Sequence, residues 1–323
     1  MTQRIRIYQQ GTPAVLHHET FDLESPAREQ VVIRHEAIGV NFVDTMFRDG
    51  TFKVPLPFSM GVEAAGIVEA VGSRAQDLKV GDRVGYFFAF GAYADRRVID
   101  ASALIKLPDD ISSEQAAGLL SKGLTAWALV KQVHQVRAGE TVVVHGASGG
   151  VGSLLVHWAK SLGATVIATV GSADKSRIVE GWGLNHVLRS DEPDLAARIK
   201  AVNGGVGVDV VYDLVGRQTL DASISALREG GDLIHVGNAS GGVAADAELL
   251  AARGIRYVQP STPQYVNTQN QNRAASELFE RFRAGALGHL ELSRYPMEEA
   301  AMAHKAIAAR KHTGSIVLIP QVS

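Results

Sequence analysis

The segment His145–Gly152, HGASGGVG, constrains the fold more than any other part of the chain. An apolar, β-branched run, Thr141–His145, leads into it, and residues with helical periodicity, Val151–Leu162, follow. A glycine-rich turn from a strand into a helix is the setting that a dinucleotide-binding βαβ unit requires. Gly146 permits the tight turn, Gly149 lets the backbone approach a pyrophosphate, and Gly152 lets the helix pack closely on the sheet. The helix N-terminus then offers free N–H groups and its dipole to the phosphates. The plain alternative is a loop that only turns a corner; the further apolar strand at Thr165–Val170 favours binding.

The alternation continues to about Pro260. Val208–Tyr212 and Asp232–Val236 read as strands, with helical patterns at Leu195–Val202 and Thr219–Leu227, which indicates a buried parallel sheet. From Met1 to about Leu120 the texture differs. Short β-rich runs such as Val31–Ile33, Ala65–Val71 and Arg83–Phe88 alternate with turn residues, as in an antiparallel barrel or sandwich. The tail reads as two helices, about Arg273–Ala284 and Glu298–Ala309, and a last strand, Ser315–Ile319. That strand needs a sheet, and the N-terminal β region is its expected host. At 323 residues the chain exceeds the roughly 250–300 at which single cores stop growing. The expected architecture is therefore α/β, with one domain from residues 1–122 and 264–323 and a second, residues 123–263, inserted into it.

Composition excludes several classes. With 32 Lys and Arg against 34 Asp and Glu, no basic excess marks a nucleic-acid surface. Cysteine is absent, so there is no disulfide, thiolate nucleophile or Cys-ligated metal. Lys122 interrupts the longest apolar run, so no membrane span of about 20 residues is expected. The start, MTQRIRIYQQ, has no apolar signal core, and a cytoplasmic protein is expected.

The end of the second parallel strand bears on which nucleotide binds. A site for an unphosphorylated ribose normally places an acid about 20 residues beyond the glycines. Here the strand tip runs Thr169-Val170-Gly171-Ser172 without one, and Lys175 follows within a helical turn. Ser172 and Lys175 can donate to a 2′-phosphate, although Asp174 dilutes the charge and Lys175 can equally be a solvated helix residue.

NFVDTMFRDG (Asn41–Gly50), GVEAAGIVEAVG (Gly61–Gly72), KVGDRVGY (Lys79–Tyr86), KGLTAW (Lys122–Trp127), GASGGVG, VYDLVG (Val211–Gly216), HVGNASG (His235–Gly241) and TGSIVLIP (Thr313–Pro320) occur in this order. The ordered set resembles the zinc-free, zeta-crystallin-like quinone oxidoreductases of the medium-chain dehydrogenase/reductase superfamily, across essentially the whole chain. The resemblance implies a GroES-like β-barrel catalytic domain, an inserted Rossmann domain, and NADPH in the cleft between them. It implies cofactor contacts from Asn41, Thr125, Gly146, Ser148, Gly149, Gly150, Val151, Gly171, Ser172, Lys175, Arg189, Gly216, Val236, Gly237, Asn238, Ser240 and Arg310, the last toward the nicotinamide end. Asn41 and Asp44 are the expected catalytic residues, Asn41 bonding the nicotinamide ribose or the substrate oxygen and Asp44 ordering its loop. An Asx turn that merely fixes the loop is the competing role for Asp44. Phe42, Met46 and Phe52 are expected in the substrate pocket. A homodimer through the Rossmann sheet edge, near Arg256–Pro260, is also implied.

The chain departs from its relatives in places. Tyrosines are common where it has Met46 and Phe52, and Ser190 stands near a tyrosine that meets the 2′-phosphate, a loss that Arg189 could offset. Zinc-dependent relatives use Cys, His and Glu; Asn41 and Val62 stand in the first two places and only Glu63 remains, so a metal-free enzyme is expected. His145 is expected to be a satisfied structural residue. The aromatic run Tyr86–Phe90 is expected to be mostly core.

Alcohol oxidation needs a Lewis acid or base for the developing alkoxide. A quinone needs neither, since hydride addition gives an aromatic hydroquinone anion. NADPH-dependent reduction of an apolar quinone is the function this implies. The alternatives are reduction of an α,β-unsaturated carbonyl on the same scaffold, or a non-catalytic nucleotide-binding, structural or RNA-binding role of the crystallin kind.

Overall fold

A computed structural model describes residues 1–75, 77–309 and 313–321. The chain divides into two compact units, Met1–Lys122 with Thr268–Phe279 and Leu290–Ser323, and Gly123–Asn267 with Glu280–His289. The segment Glu280–His289 thus joins the second unit, where the sequence assigned it to the first.

In the second unit six strands form one parallel sheet. Their spatial order is His186–Arg189, Thr165–Val170, Thr141–His145, Val208–Asp213, Leu227–His235, Arg256–Val258. The chain starts in the middle, winds outward one way, then returns and winds the other way, as in the doubly wound nucleotide-binding fold. Helices Gly150–Ser161, Ala173–Glu180, Leu195–Val202, Leu220–Ala226 and Ala247–Ala252 lie in the five crossovers. The strands are apolar on both faces because both are covered; Val142, Val143, Val144, Val210 and Val211 are all fully buried.

The first unit is antiparallel in the main. One sheet joins His17–Phe21, Thr2–Ile7 and Phe58–Ser59. The other is built on the long strand Gln30–Val40, which pairs with Glu63–Val71, Arg96–Asp100 and Ser315–Ile319. The C-terminal strand therefore joins the N-terminal sheet, with Ile316 opposite Val40. Arg83–Phe88 is shorter than expected: the strand ends at Tyr86, because Phe88 takes a left-handed φ of 53° that extended pairing does not allow.

Candidate active site

Each unit carries its own cluster of candidate residues. In the second unit, the topological switch falls between Thr141–His145 and Val208–Asp213, where ligands of open α/β sheets bind at the strands' C-terminal ends. The Gly146–Gly152 turn stands there. Gly146 has φ +75°, and a side chain on Gly152 would lie 2.3 Å from the Gly146 carbonyl oxygen. Gly152 is thus required by the turn itself rather than by the sheet. At Gly149 a Cβ would meet only that same oxygen at 3.4 Å, and at Gly171 only Ser190 Oγ at 3.9 Å. Both backbones are open to a ligand. Gly150 and Val151 begin the helix behind Gly149, and Ser148 is buried in the turn.

Ser172 caps the helix Ala173–Glu180 by accepting the Lys175 N–H at 3.4 Å, which leaves its hydroxyl proton to donate outward. Lys175 is half-buried in the first turn, and Asp174 is paired with Arg177 at 2.6 Å. Arg189 is bound to Asp191 through two hydrogen bonds, and this partner raises its guanidinium pKa. A phosphate would have to compete with that pairing.

The loops after the fourth and fifth strands are tied together. Ser240 N–H and Oγ both bond the Val215 carbonyl, at 2.7 and 2.8 Å, and Gln218 N–H bonds Ser240 Oγ at 3.0 Å. Asn238 Oδ1 is 3.0 Å from His235 Nε2. A Cβ on Gly216 would lie 2.8 Å from the Gly241 oxygen, and one on Gly237 2.8 Å from that of Leu214. Val236 N–H and Gly237 N–H bond the Asp213 carbonyl. Buried Asp213 anchors the assembly: its carboxylate accepts from Val215 N–H, Gly216 N–H, Thr219 Oγ1 and Ser223 Oγ. Burial alone would raise its pKa, but His145 and these donors outweigh it and hold it low. Asn238 and Ser240 thus shape the loop pair. Thr125 bonds Thr262, Oγ to Oγ, at 2.7 Å. His145 is only half satisfied: Nδ1 lies 2.7 Å from Thr169 Oγ1, while buried Nε2 has no partner among the described residues. Arg310 lies outside the described residues.

In the first unit, the Gln30–Val40 and Glu63–Val71 pairing sets Gly39 opposite Glu63 and so brings Asn41 beside it. Asn41 Nδ2 donates to Glu63 Oε2 at 2.9 Å, and Asn41 Oδ1 accepts from Lys122 Nζ at 3.1 Å. Lys122 Nζ is 3.6 Å from Glu63 Oε2, and Ser121 N–H donates to Glu63 Oε1 at 2.5 Å. Glu63 is 0 % exposed and Lys122 6 %. Burial raises the Glu63 pKa, with Lys122 opposing.

Asn41 also caps the helix Phe42–Asp49, its N–H donating to Asp44 Oδ2 at 2.8 Å. Asp44 is fully buried, and Tyr93 Oη donates to the same oxygen at 3.2 Å while Oδ1 has no partner among the described residues. His304 Nε2 lies 2.9 Å from Tyr93 Oη, and Arg48 Nη1 lies 3.4 Å from His304 Nδ1. Arginine only donates, so Nδ1 accepts and Nε2–H donates to Tyr93. The chain Arg48, His304, Tyr93, Asp44 is therefore directional. Burial pushes the Asp44 carboxyl up to about 7 and His304 down to about 3. Asp44 thus ties the start of its own helix to Tyr93, an arrangement common to both roles expected for it.

Phe42 and Phe52 are exposed and Met46 half-buried on or just after that helix. Phe47, on the same helix, packs against Phe52, Phe58 and Phe90 with centroids 5.2–5.8 Å apart. The aromatic run divides: Tyr86 and Phe87 are core, whereas Phe90 is 50 % exposed beside Phe47 and Phe58.

The sequence reading missed Lys122 as a site residue and missed Tyr93, His304 and Arg48 altogether. Lys122 carried a signal, a lone cation inside the apolar run AAGLLSKGLTAWALV. The other three come together only through tertiary pairing.

The residues do not fit a zinc ion. The chain has no Cys, Asn41 and Glu63 are bonded to each other and to an ammonium, and no group of three His, Asp or Glu among the described residues is placed to hold a metal.

Two family models match the chain: an alcohol dehydrogenase GroES-like domain over residues 27–109 and a zinc-binding dehydrogenase over residues 150–281. A quinone oxidoreductase of Pseudomonas aeruginosa is 39 % identical, covering 99 % of this chain and 100 % of that one. A 2-haloacrylate reductase of a Burkholderia species is also 39 % identical, over 98 % of each chain. The crystal structure of Escherichia coli quinone oxidoreductase complexed with NADPH matches with a TM-score of 0.94 and 37 % identity, covering 98 % of this chain and 100 % of that one.

Proposed function

The chain belongs to the quinone oxidoreductase family of the medium-chain dehydrogenases/reductases, and on that premise we propose that it reduces apolar quinones with NADPH and without a metal ion. The observation that carries the reading is the Gly146–Gly152 turn at the switch point of the sheet, open at Gly149 and followed by a strand tip without an acid. Gly149, Gly150 and Val151 would hold the pyrophosphate, and Gly171, Ser172 and Lys175 the 2′-phosphate end. The loops at Gly216 and Val236–Ser240 would border the same ligand. When bound, the nicotinamide supplies the hydride. The protein's own part is to position the acceptor and manage charge. Phe42, Met46, Phe52 and Phe90 give the acceptor an apolar, largely aromatic surface.

A second reading, reduction of an activated alkene next to a carbonyl, is favoured by the similarity to a 2-haloacrylate reductase. A turnover panel separates the two. NADPH oxidation is followed with benzoquinones, naphthoquinones, enals and haloacrylate at equal concentration. The first reading expects the quinones to give the higher kcat/KM; haloacrylate or enals ahead of every quinone would reverse the order.

A further inference from the structure

We propose that Lys122 is a catalytic acid: its ammonium holds the substrate oxygen on which negative charge develops and protonates it. This rests on the reading that the acceptor is a quinone. A buried ammonium is costly unless paired, and Lys122 is 6 % exposed on a helix whose neighbours Leu119, Leu120 and Leu124 are fully buried. It has three N–H donors. Among the described residues it makes one hydrogen bond, to Asn41 Oδ1 at 3.1 Å; Glu63 Oε2, at 3.6 Å, is a counter-charge beyond hydrogen-bond reach.

The surroundings hold that ammonium rather than consume it. Asn41 Nδ2 is committed to Glu63, so Oδ1 is the atom turned to Lys122. Glu63 is fixed by Asn41 and by Ser121 N–H. Gly39 is required beneath it, since a Cβ there would lie 2.2 Å from the Ala117 carbonyl oxygen and 2.3 Å from Glu63 Oε2. The fold thus places one cation, held by an amide and a carboxylate, with donor capacity left for an oxygen that no described residue supplies. Unlike a metal ion, an ammonium brings both the positive charge and the proton.

Hydride from the reduced nicotinamide forms a bond to one carbonyl oxygen of the quinone, which is reduced by two electrons as the nicotinamide is oxidised. The ring electrons shift to the opposite oxygen. An N–H bond of Lys122 breaks, its proton bonds to that oxygen, and the neutral amine recovers a proton from water.

The test compares Lys122→Met and the double variant Lys122→Met, Glu63→Gln with wild type. The second variant removes the carboxylate that the first leaves unpaired. Acceptors are 1,4-benzoquinones graded from tetrachloro to tetramethyl, whose hydroquinone anions grow more basic along the series. General acids contribute about 100-fold or more, so kcat should fall about 100-fold with the tetramethyl quinone. The loss should shrink to about 3-fold or less with the tetrachloro quinone, whose anion needs no proton, while NADPH affinity by fluorescence titration stays within about 3-fold. In wild type, the solvent deuterium isotope effect on kcat should exceed about 2 with the tetramethyl quinone and approach about 1 with the tetrachloro one. A loss uniform across the series, or equal isotope effects, overturns the assignment and leaves the quinone reading intact. Wild type inert to every quinone overturns both.

Discussion

A side chain on Gly152 would sit 2.3 Å from the carbonyl oxygen of Gly146, closer than any real contact. The two glycines therefore form one unit: the left-handed Gly146 turns its carbonyl under the helix, and the missing Cβ of Gly152 gives that carbonyl room. Gly152→Ala must push the turn away from the pyrophosphate position. Overpacking of this kind costs about 1–3 kcal/mol, so NADPH affinity should fall about 5- to 100-fold with a lower unfolding midpoint. Fluorescence titration and thermal melting check both; unchanged affinity would mean that the turn does not hold the cofactor.

Lys175 and Arg189 should differ as readers of the 2′-phosphate. Lys175 stands in the first turn of the helix that Ser172 caps, at the strand tip, and Arg189 is bonded to Asp191. A charged hydrogen bond contributes about 1.5–3 kcal/mol. Lys175→Ala should therefore weaken NADPH about 10- to 100-fold and leave NADH unchanged, and Arg189→Ala should weaken NADPH by about 3-fold or less. Calorimetric Kd values for both nucleotides decide it; equal losses for the two in Lys175→Ala would give that residue a purely structural role.

The buried Asp44 makes a pH prediction with a definite sign. Its carboxyl, raised to about 7, binds a proton more tightly in the folded state than in the unfolded chain. The folded state therefore loses stability from this group as pH rises from about 4 to about 7, and little more above. Asp44→Asn removes that dependence. Melting temperatures of ligand-free protein across this range should show wild type falling relative to the variant; parallel curves would mean that Asp44 titrates normally.

These networks mark the limit of what one sequence discloses. The glycine turn, the parallel strands and the placement of Ser315–Ile319 were legible because each is written in local pattern. Asn41 and Asp44 were singled out by resemblance, but their partners Glu63, Lys122 and Tyr93 were not. Tyr93 and His304 are separated by 211 positions, and Arg48 and His304 by 256; no periodicity joins them. Lys122 was visible as an interruption of an apolar run and as the first residue of KGLTAW, but not as a site residue, because its clamp depends on the Gly39–Glu63 register. The end of the strand at Tyr86 depends on the left-handed Phe88, which an aromatic run does not announce.

Arg256–Val258 ends the parallel sheet and pairs on one side only among the described strands. Pairing with a second copy across a two-fold axis would cover that edge. Light scattering at micromolar concentration should give twice the chain mass; a single chain mass would refute this dimer.

The central claim, metal-free reduction of a quinone by NADPH, is tested most directly by one steady-state comparison. Enzyme dialysed against a strong chelator is assayed with a naphthoquinone and either NADPH or NADH. Turnover should be unchanged after dialysis, and kcat/KM for NADPH should be at least about 10-fold above that for NADH, the consequence of one charged contact to the 2′-phosphate. Activity lost on dialysis and restored by zinc, or a preference for NADH, would contradict it.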